Sequence, residues 1–179
     1  MPRSKSILIY LRAKDESRPH LTKFVFAETA KLEITVETDT ISFPPLTHGF
    51  NAITQVLRDF GQIYENIYTF CLADPPKGNT GRYACPWIVG MSERAGGSVR
   101  IGCGYYDWSF ENNEPHLVDG LAIRIKMMKV VLPSDCLRPV MDWLSGLPYP
   151  WCSASEAIKE MPDLAMLDKV REFINQSRG

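Results

Sequence analysis

A run of alternating residues in the middle of the chain, residues 98–110 with the sequence SVRIGCGYYDWSF, constrains the fold more than any other feature. Successive side chains of a β-strand point to opposite faces, and here both faces carry aromatic bulk. This pattern is typical of an inner strand of a sheet that is covered on both sides. Gly102 and Gly104 fall on one face, where missing side chains let a sheet bend sharply or let another backbone come close. The run therefore predicts a long, strongly curved strand.

A second extended run, residues 121–132 with the sequence LAIRIKMMKVVL, follows a turn-rich segment at 111–115, so an antiparallel hairpin is the simplest prediction. Further strands are predicted at 31–43, 65–72 and 83–93, where Pro86 suggests a bulge or an edge. Helical spacing predicts two helices between residues 7 and 30, divided by Pro19, and another helix at 50–64. Because strands follow one another instead of alternating with helices, the predicted class is α+β.

The last quarter of the chain is predicted to be helical. Residues 163–177 carry one apolar stripe, formed by Leu164, Leu167, Val170, Phe173 and Ile174. Such a stripe needs a partner surface, which could be the sheet of the same chain or a second subunit. We therefore predict a domain at residues 1–133 and a helical C-terminal extension at 134–179, packed on that domain or on a partner subunit.

Composition excludes several classes of partner. The chain has 179 residues, 45% of them hydrophobic, which suits a folded globular body. Its formal net charge of -1 disfavours nucleic acid and anionic lipid as partners, and no apolar run approaches the roughly 20 residues that cross a bilayer. The five cysteines are widely spread, which favours reduced core thiols over disulfides or a metal site. We expect a soluble, cytoplasmic protein.

Three segments together resemble the SnoaL-like branch of the nuclear-transport-factor-2-like superfamily, which has the cystatin-like fold. They are YLRAKDESRPHLTKFVFAETAKLEI at 10–34, ISFPPLTHGFNAITQVLRDFGQIYENIYTFCL at 41–72, and the strand pair GCGYYDWSF and LAIRIKMM. The resemblance covers about residues 7–132. It implies a cone in which a curved antiparallel sheet wraps around N-terminal helices and encloses an apolar cavity. Members of the superfamily include polyketide cyclases, steroid isomerases, dehydratases and hydrolases, as well as non-catalytic modules, and dimers are common.

The resemblance also implies acid/base chemistry inside the cone, for which the candidate residues are Asp15, His20, His48 and Asp107. Asp15 could face the cavity or be a solvated residue of the charged run at 12–16. His20 could line the cavity or lie on the surface, and His48 belongs to the loop before a helix.

Asp107 is the most informative candidate because aspartate is disfavoured inside a strand. Either Arg124 or Lys126 of the neighbouring strand neutralises it in a cross-strand ion pair, or it acts as a base or a hydrogen-bond acceptor in the pocket. The candidates for ligand binding are Tyr64, Tyr68, Trp87, Tyr106, Trp108 and Arg124. Core packing alone would require much the same aromatic residues.

Taken together, these features predict a homodimeric cone that binds a small hydrophobic or aromatic molecule without a cofactor or a metal. If the protein is an enzyme, we expect an isomerase, cyclase or dehydratase. Its base would be Asp107 or Asp15, with His20 as the alternative, and Tyr68 or Tyr106 would donate a hydrogen bond. The alternative is a non-catalytic ligand-binding or dimerisation module.

Overall fold

The computed structural model describes residues 1–78 and 80–178, without the side chains of residues 129–131. In this part of the chain the helices are α1 (Arg3–Asp15), α2 (Phe50–Ile63), α3 (Leu137–Ser145), α4 (Ala154–Lys159) and α5 (Asp168–Gln176), with 3-10 turns at Pro19–Phe24, Ser134–Cys136 and Ala165–Leu167. The strands are β1 (Phe26–Val36), β2 (Leu46–His48), β3 (Tyr64–Cys71), β4 (Arg82–Glu93), β5 (Val99–Phe110) and β6 (Val118–Leu132).

The six strands form one curved sheet in the order β2-β1-β6-β5-β4-β3, with helices on its concave side. The predicted α+β cone is confirmed, and β5 is an inner strand whose hairpin partner is β6. The sheet is mixed, however, because β1 and β6 run parallel while the other described pairs are antiparallel. Strands distant in sequence, unlike hairpin neighbours, can pair in either direction, so local sequence did not reveal this pair.

The helical prediction for the first thirty residues is wrong from Phe26 onwards. Pro19 begins a 3-10 turn, and the chain is already extended at Phe26, where β1 starts. The amide of Val118 in β6 donates to the carbonyl of Val25 over 2.8 Å, and Phe26 lies in register with Val118. This pairing with a distant strand overrides the local helical spacing.

The bend of the sheet lies where β5 carries its two glycines. A Cβ on Gly104 would lie 1.9 Å from the carbonyl oxygen of Arg124 and 2.8 Å from Cζ2 of Trp87. Between the pairs Ile101–Val130 and Cys103–Met127, β6 has one residue more than β5. The same is true between the pairs Cys103–Met127 and Gly104–Ile125, so the ladder contains two β-bulges. The close approach and the bulges together give the strong curvature that the sequence predicted.

Pro86 lies within β4, where it leaves the register with β5 unbroken. Its carbonyl accepts a hydrogen bond of 2.8 Å from Leu72, one residue beyond the end of β3. Because proline has no N–H, the return hydrogen bond to the carbonyl of Leu72 is missing at the point where β3 ends, while the pairing with β5 is intact.

Two hydrophobic cores cover the two faces of the sheet. On the concave side, α1 and α2 pack against the even-numbered aromatic residues of β5. On the convex side, the C-terminal helices cover Val99, Ile101 and Cys103 of β5, and the ring centroid of Phe173 in α5 lies 5.4 Å from that of Tyr105. The stripe that includes Val170 and Ile174 is buried. The C-terminal stripe therefore packs on the sheet of its own chain, while the division at residue 133 stays a prediction.

The cysteines are all unpaired, and four of the five are buried. Cys71 and Cys85 lie on adjacent strands in the concave core, whereas Cys103 lies in the other core. Burial raises the pKa of Cys103 to about 12, so its thiol stays protonated at neutral pH. In the part of the chain that the structure describes, no helix is long and apolar enough to cross a membrane.

Candidate functional site

The candidate site is a cavity of about 60 Å³ between the concave face of the sheet and the two long helices. Helix α1 contributes Tyr10 and Lys14, α2 contributes Phe60, and the sheet contributes Trp87 and Tyr106. The remaining lining side chains are aliphatic or aromatic. Among the described residues that line the cavity, Lys14 is the one with a formal charge.

The ammonium group of Lys14 is fixed by two neighbours and retains one free N–H. Its Nζ lies 2.5 Å from Oδ1 of Asp15 and 2.6 Å from the hydroxyl oxygen of Thr69. It also lies 5.5 Å from the ring centroid of Phe60, close enough for a cation–π contact. The side chain is 12% exposed. Because an ammonium has three N–H groups, the third can reach a guest in the cavity.

Asp15 is neither solvated nor part of the cavity lining. Its side chain is 3% exposed and accepts hydrogen bonds from the amide of Thr69 (2.8 Å) and the hydroxyl of Thr69 (2.9 Å). It accepts another from the hydroxyl of Tyr149 (3.1 Å) in the C-terminal connector. With Lys14 as a fourth donor, the carboxylate is compensated by α1, β3 and the connector together. It holds Lys14 in place from behind the cavity wall.

Aromatic residues form the floor of the cone beneath the cavity. The ring of Tyr10 packs edge-on against Trp108 (centroids 5.1 Å apart) and against Tyr106 (6.3 Å). Burial raises the pKa of both Tyr10 and Tyr106, so their hydroxyls stay protonated at neutral pH. The indole N–H groups of Trp87 and Trp108 are buried and have no acceptor. The polar groups of this wall are therefore chiefly hydrogen-bond donors.

The sequence-predicted ligand-binding residues divide between the two faces of the sheet. Trp87 and Tyr106 line the cavity. Tyr64 and Trp108 belong to the same concave core but lie outside the lining, and Tyr64 packs against Phe60 with centroids 5.0 Å apart.

Tyr68 and Arg124 lie away from the cavity on the opposite face. Tyr68 packs against the convex core and stacks on Phe70 with centroids 6.4 Å apart. Arg124 is exposed, and its Nε lies 3.9 Å from Glu37. Alternation along a strand separates the two faces, but only the packed structure shows which face encloses the cavity.

Three of the predicted acid/base residues also lie away from the cavity. Asp107 is 42% exposed on the outer face, where Nη2 of Arg82 lies 2.6 Å from its carboxylate. The expected ion pair therefore exists, but its partner comes from β4, whereas Arg124 and Lys126 pair with Glu37. His20 and His48 are exposed on a 3-10 turn and at the end of β2. No group of described residues has the composition and spacing of a metal site.

Sequence reasoning missed Lys14, Tyr10 and Tyr149. Lys14 had a signal, because it follows Tyr10 by four residues and therefore continues the apolar stripe of α1. A lysine on an apolar stripe points into the core or along its edge. Tyr149 had no comparable signal, since it reaches Asp15 from 134 positions further along the chain.

No known family profile matches this sequence, and no curated protein matches it either. Solved structures do match. A nuclear transport factor 2 (NTF2-like) superfamily protein from Salmonella enterica superposes with a TM-score of 0.55 at 15% identity, over 70% of this chain and 89% of that one. A Delta 5-3-ketosteroid isomerase from Mycobacterium sp. gives 0.53 at 15% identity, over 66% and 88%.

A computationally designed binder of 17-OHP gives a TM-score of 0.53 at 12% identity, over 69% of this chain and 92% of that one. Each of these matches covers most of the other protein and leaves about a third of this chain unmatched. Identities this low establish shape and not chemistry. The chain has the cone-shaped α+β fold of the nuclear-transport-factor-2-like superfamily.

Proposed function

We propose that this protein binds a small hydrophobic molecule that carries a hydrogen-bond acceptor, such as a ketone, inside its cone. The observation that carries the proposal is Lys14, a fixed cation with one free N–H in the wall of an otherwise apolar cavity. An apolar pocket with a few convergent polar groups is the usual form of a small-molecule site. Because the polar groups of the cavity wall are chiefly hydrogen-bond donors, a ligand with a hydrogen-bond acceptor can pair with them.

The cavity volume limits the ligand to a small one. About 60 Å³ is well below the roughly 300–1,000 Å³ of pockets that enclose drug-sized ligands. A single ring or a short aliphatic chain suits this space, whereas a steroid requires the side chains to move. Met128 also lines the cavity, and its unbranched side chain can change conformation at a low cost in free energy.

Binding without proton transfer is favoured over acid/base catalysis. Among the described residues that line the cavity, none is a carboxylate or a histidine, and a general base must reach the proton that it abstracts. A cofactor-free isomerase, cyclase or dehydratase is the second candidate, because Asp15 is a buried carboxylate directly behind Lys14. In that case Asp15 would have to exchange its bond to Lys14 or Tyr149 for one to the substrate.

The test is a thermal-shift titration with single-ring ketones such as cyclopentanone. A ligand that binds only the folded protein at a hundred times its Kd adds about 2.7 kcal/mol, or roughly 5–10 °C for a chain of this size. The double variant Lys14→Met/Asp15→Asn removes the donor without leaving a buried carboxylate unpaired. We expect it to lose most of the shift.

Lys5→Met is the matched control, since Lys5 is an exposed lysine of the same helix, and it should leave the shift unchanged. An equal shift in the wild type and the double variant would contradict the role of Lys14. Exchange of the ketone's α-hydrogens for deuterium in heavy water, lost in Asp15→Asn, would favour the enzyme instead.

A further inference from the structure

Arg100 is a largely buried arginine with unmet hydrogen-bonding capacity. Its side chain is 15% exposed, and Nη2 lies 2.5 Å from Oε1 of Glu93. Its Nε and Nη1 are fully buried and have no hydrogen-bond partner. Leaving the N–H groups of a buried cation unpaired is costly, so two such groups on one guanidinium require an explanation.

Arg100 lies on the same face of β5 as the cavity. Residues two apart along a strand share a face and lie about 7 Å from each other. Arg100 precedes Gly102, Gly104 and Tyr106 on the concave face, and its Cζ lies 5.8 Å from the ring centroid of Tyr64. The guanidinium is therefore one layer beyond the cavity, at the end opposite Tyr106.

Met128 stands between the cavity and this arginine. It lines the cavity, and its Sδ occupies the space beside Gly102, where a Cβ would lie only 2.5 Å from the sulfur. The absence of a side chain at Gly102 makes this space, and a flexible thioether fills it. A ligand that displaces Met128 would extend the apolar cavity toward Arg100.

We propose that Arg100 is a carboxylate-binding subsite, so that the ligand is a hydrophobic acid whose apolar body occupies the cavity. This inference rests on the proposed binding function and specifies the class of ligand. Nη1 has no hydrogen-bond partner, and a hydrogen bond from a guanidinium N–H to a carboxylate oxygen is charge-assisted and strong. Glu93 fixes the guanidinium through Nη2, and the hydroxyl of Ser98 and then Arg100 lower the pKa of Glu93, which keeps it ionised.

The test compares octanoate with octan-1-ol, which share a chain length and differ in charge. Binding is followed by tryptophan fluorescence, because Trp87 lines the cavity. Charge-assisted hydrogen bonds predict that wild-type protein binds the acid about tenfold or more tightly than the alcohol. In Arg100→Gln this preference should fall to about twofold or less, while affinity for the alcohol changes little.

Three further variants make the result specific. Arg100→Gln/Glu93→Gln removes both members of the ion pair, so a loss of preference there cannot be ascribed to an unpaired carboxylate. Arg94→Gln is the control, since Arg94 pairs with Glu65 at 2.8 Å on the surface and should keep the wild-type preference. Lys14→Met/Asp15→Asn should also keep it.

The outcomes separate this inference from the function on which it rests. If neither compound binds the wild type, the proposed function fails and the inference falls with it. If acid and alcohol bind equally well, the cavity binds ligands but Arg100 is no carboxylate site. If the preference survives in Arg100→Gln and disappears in Lys14→Met/Asp15→Asn, the carboxylate lies at Lys14 and the inference is wrong.

Discussion

Lys14 and Asp15 show how a charged pair can be kept inside an otherwise apolar cone. Burying two ions costs several kcal/mol each unless hydrogen bonds replace the lost water. Thr69 provides most of this replacement, because its hydroxyl accepts from Lys14 and donates to Asp15 while its amide donates to the other carboxylate oxygen. The pair is therefore a rigid unit whose remaining capacity is the free N–H of Lys14.

This coupling predicts a strongly non-additive pair of substitutions. Asp15→Asn leaves a nearly buried ammonium without its counter-charge and should lower the free energy of unfolding by about 3 kcal/mol. Lys14→Met/Asp15→Asn should recover most of that loss, because no unpaired charge remains. Urea unfolding monitored by circular dichroism measures both values.

Asp107→Asn is the control for this pair, since its ion pair with Arg82 is exposed and should change stability by only about 0.5 kcal/mol. Equal losses in Asp15→Asn and in the double variant would show that the pair is not a coupled unit.

For single residues, prediction from sequence succeeded where a residue type is disfavoured in the secondary structure predicted around it. An aspartate within a strand needed a cationic partner, and Asp107 has one. The sequence suggested Arg124 or Lys126 as that partner, whereas the partner is Arg82, because strand register and face depend on the whole sheet. Lys14 was missed because its neighbours in sequence, from Arg12 to Glu16, suggested a solvated run.

At the scale of elements, β5 was predictable because its two faces carry distinct and complete patterns. The two glycines of β5 also indicated the bend, which arises where the backbones of β5 and β6 come into close contact. The beginning of β1 was not predictable in this way. Its pairing partner β6 lies about ninety residues further along the chain, and the parallel ladder has no hairpin turn to announce it.

The close approach at Gly104 predicts a severe effect of a single methyl group. Gly104→Ala would place Cβ 1.9 Å from a backbone oxygen, which cannot move without distorting β6. We expect a loss of about 3 kcal/mol or more in the free energy of unfolding, or failure to accumulate as soluble protein.

Gly81→Ala tests the same chemical change where no described atom lies within 4 Å of the new methyl group, and it should be nearly neutral. Similar thermal stability for these two alanine variants would refute the close-approach account of the bend.

In the whole molecule, two hydrophobic cores pack against the opposite faces of one sheet. The C-terminal helices close the convex side, and the connector before α4 reaches back to Asp15 through Tyr149. The tail is thus joined to the candidate site by a hydrogen bond as well as by packing. Sequence periodicity indicated that the tail carries an apolar stripe, but only the fold shows that this stripe packs on β5. The homodimer and the cytoplasmic location stay predictions.

If the cavity of the cone holds the ligand, a side chain that fills the cavity abolishes binding. Val56 is a half-buried lining residue of α2, and Val56→Phe would occupy the space with a ring. Its neighbour Gln55 is exposed, so Gln55→Phe adds the same ring outside. A thermal-shift screen of small hydrophobic ketones and acids should give hits with the wild type and Gln55→Phe that disappear in Val56→Phe. Hits of equal size in all three proteins would place the ligand outside the cavity and contradict the proposed function.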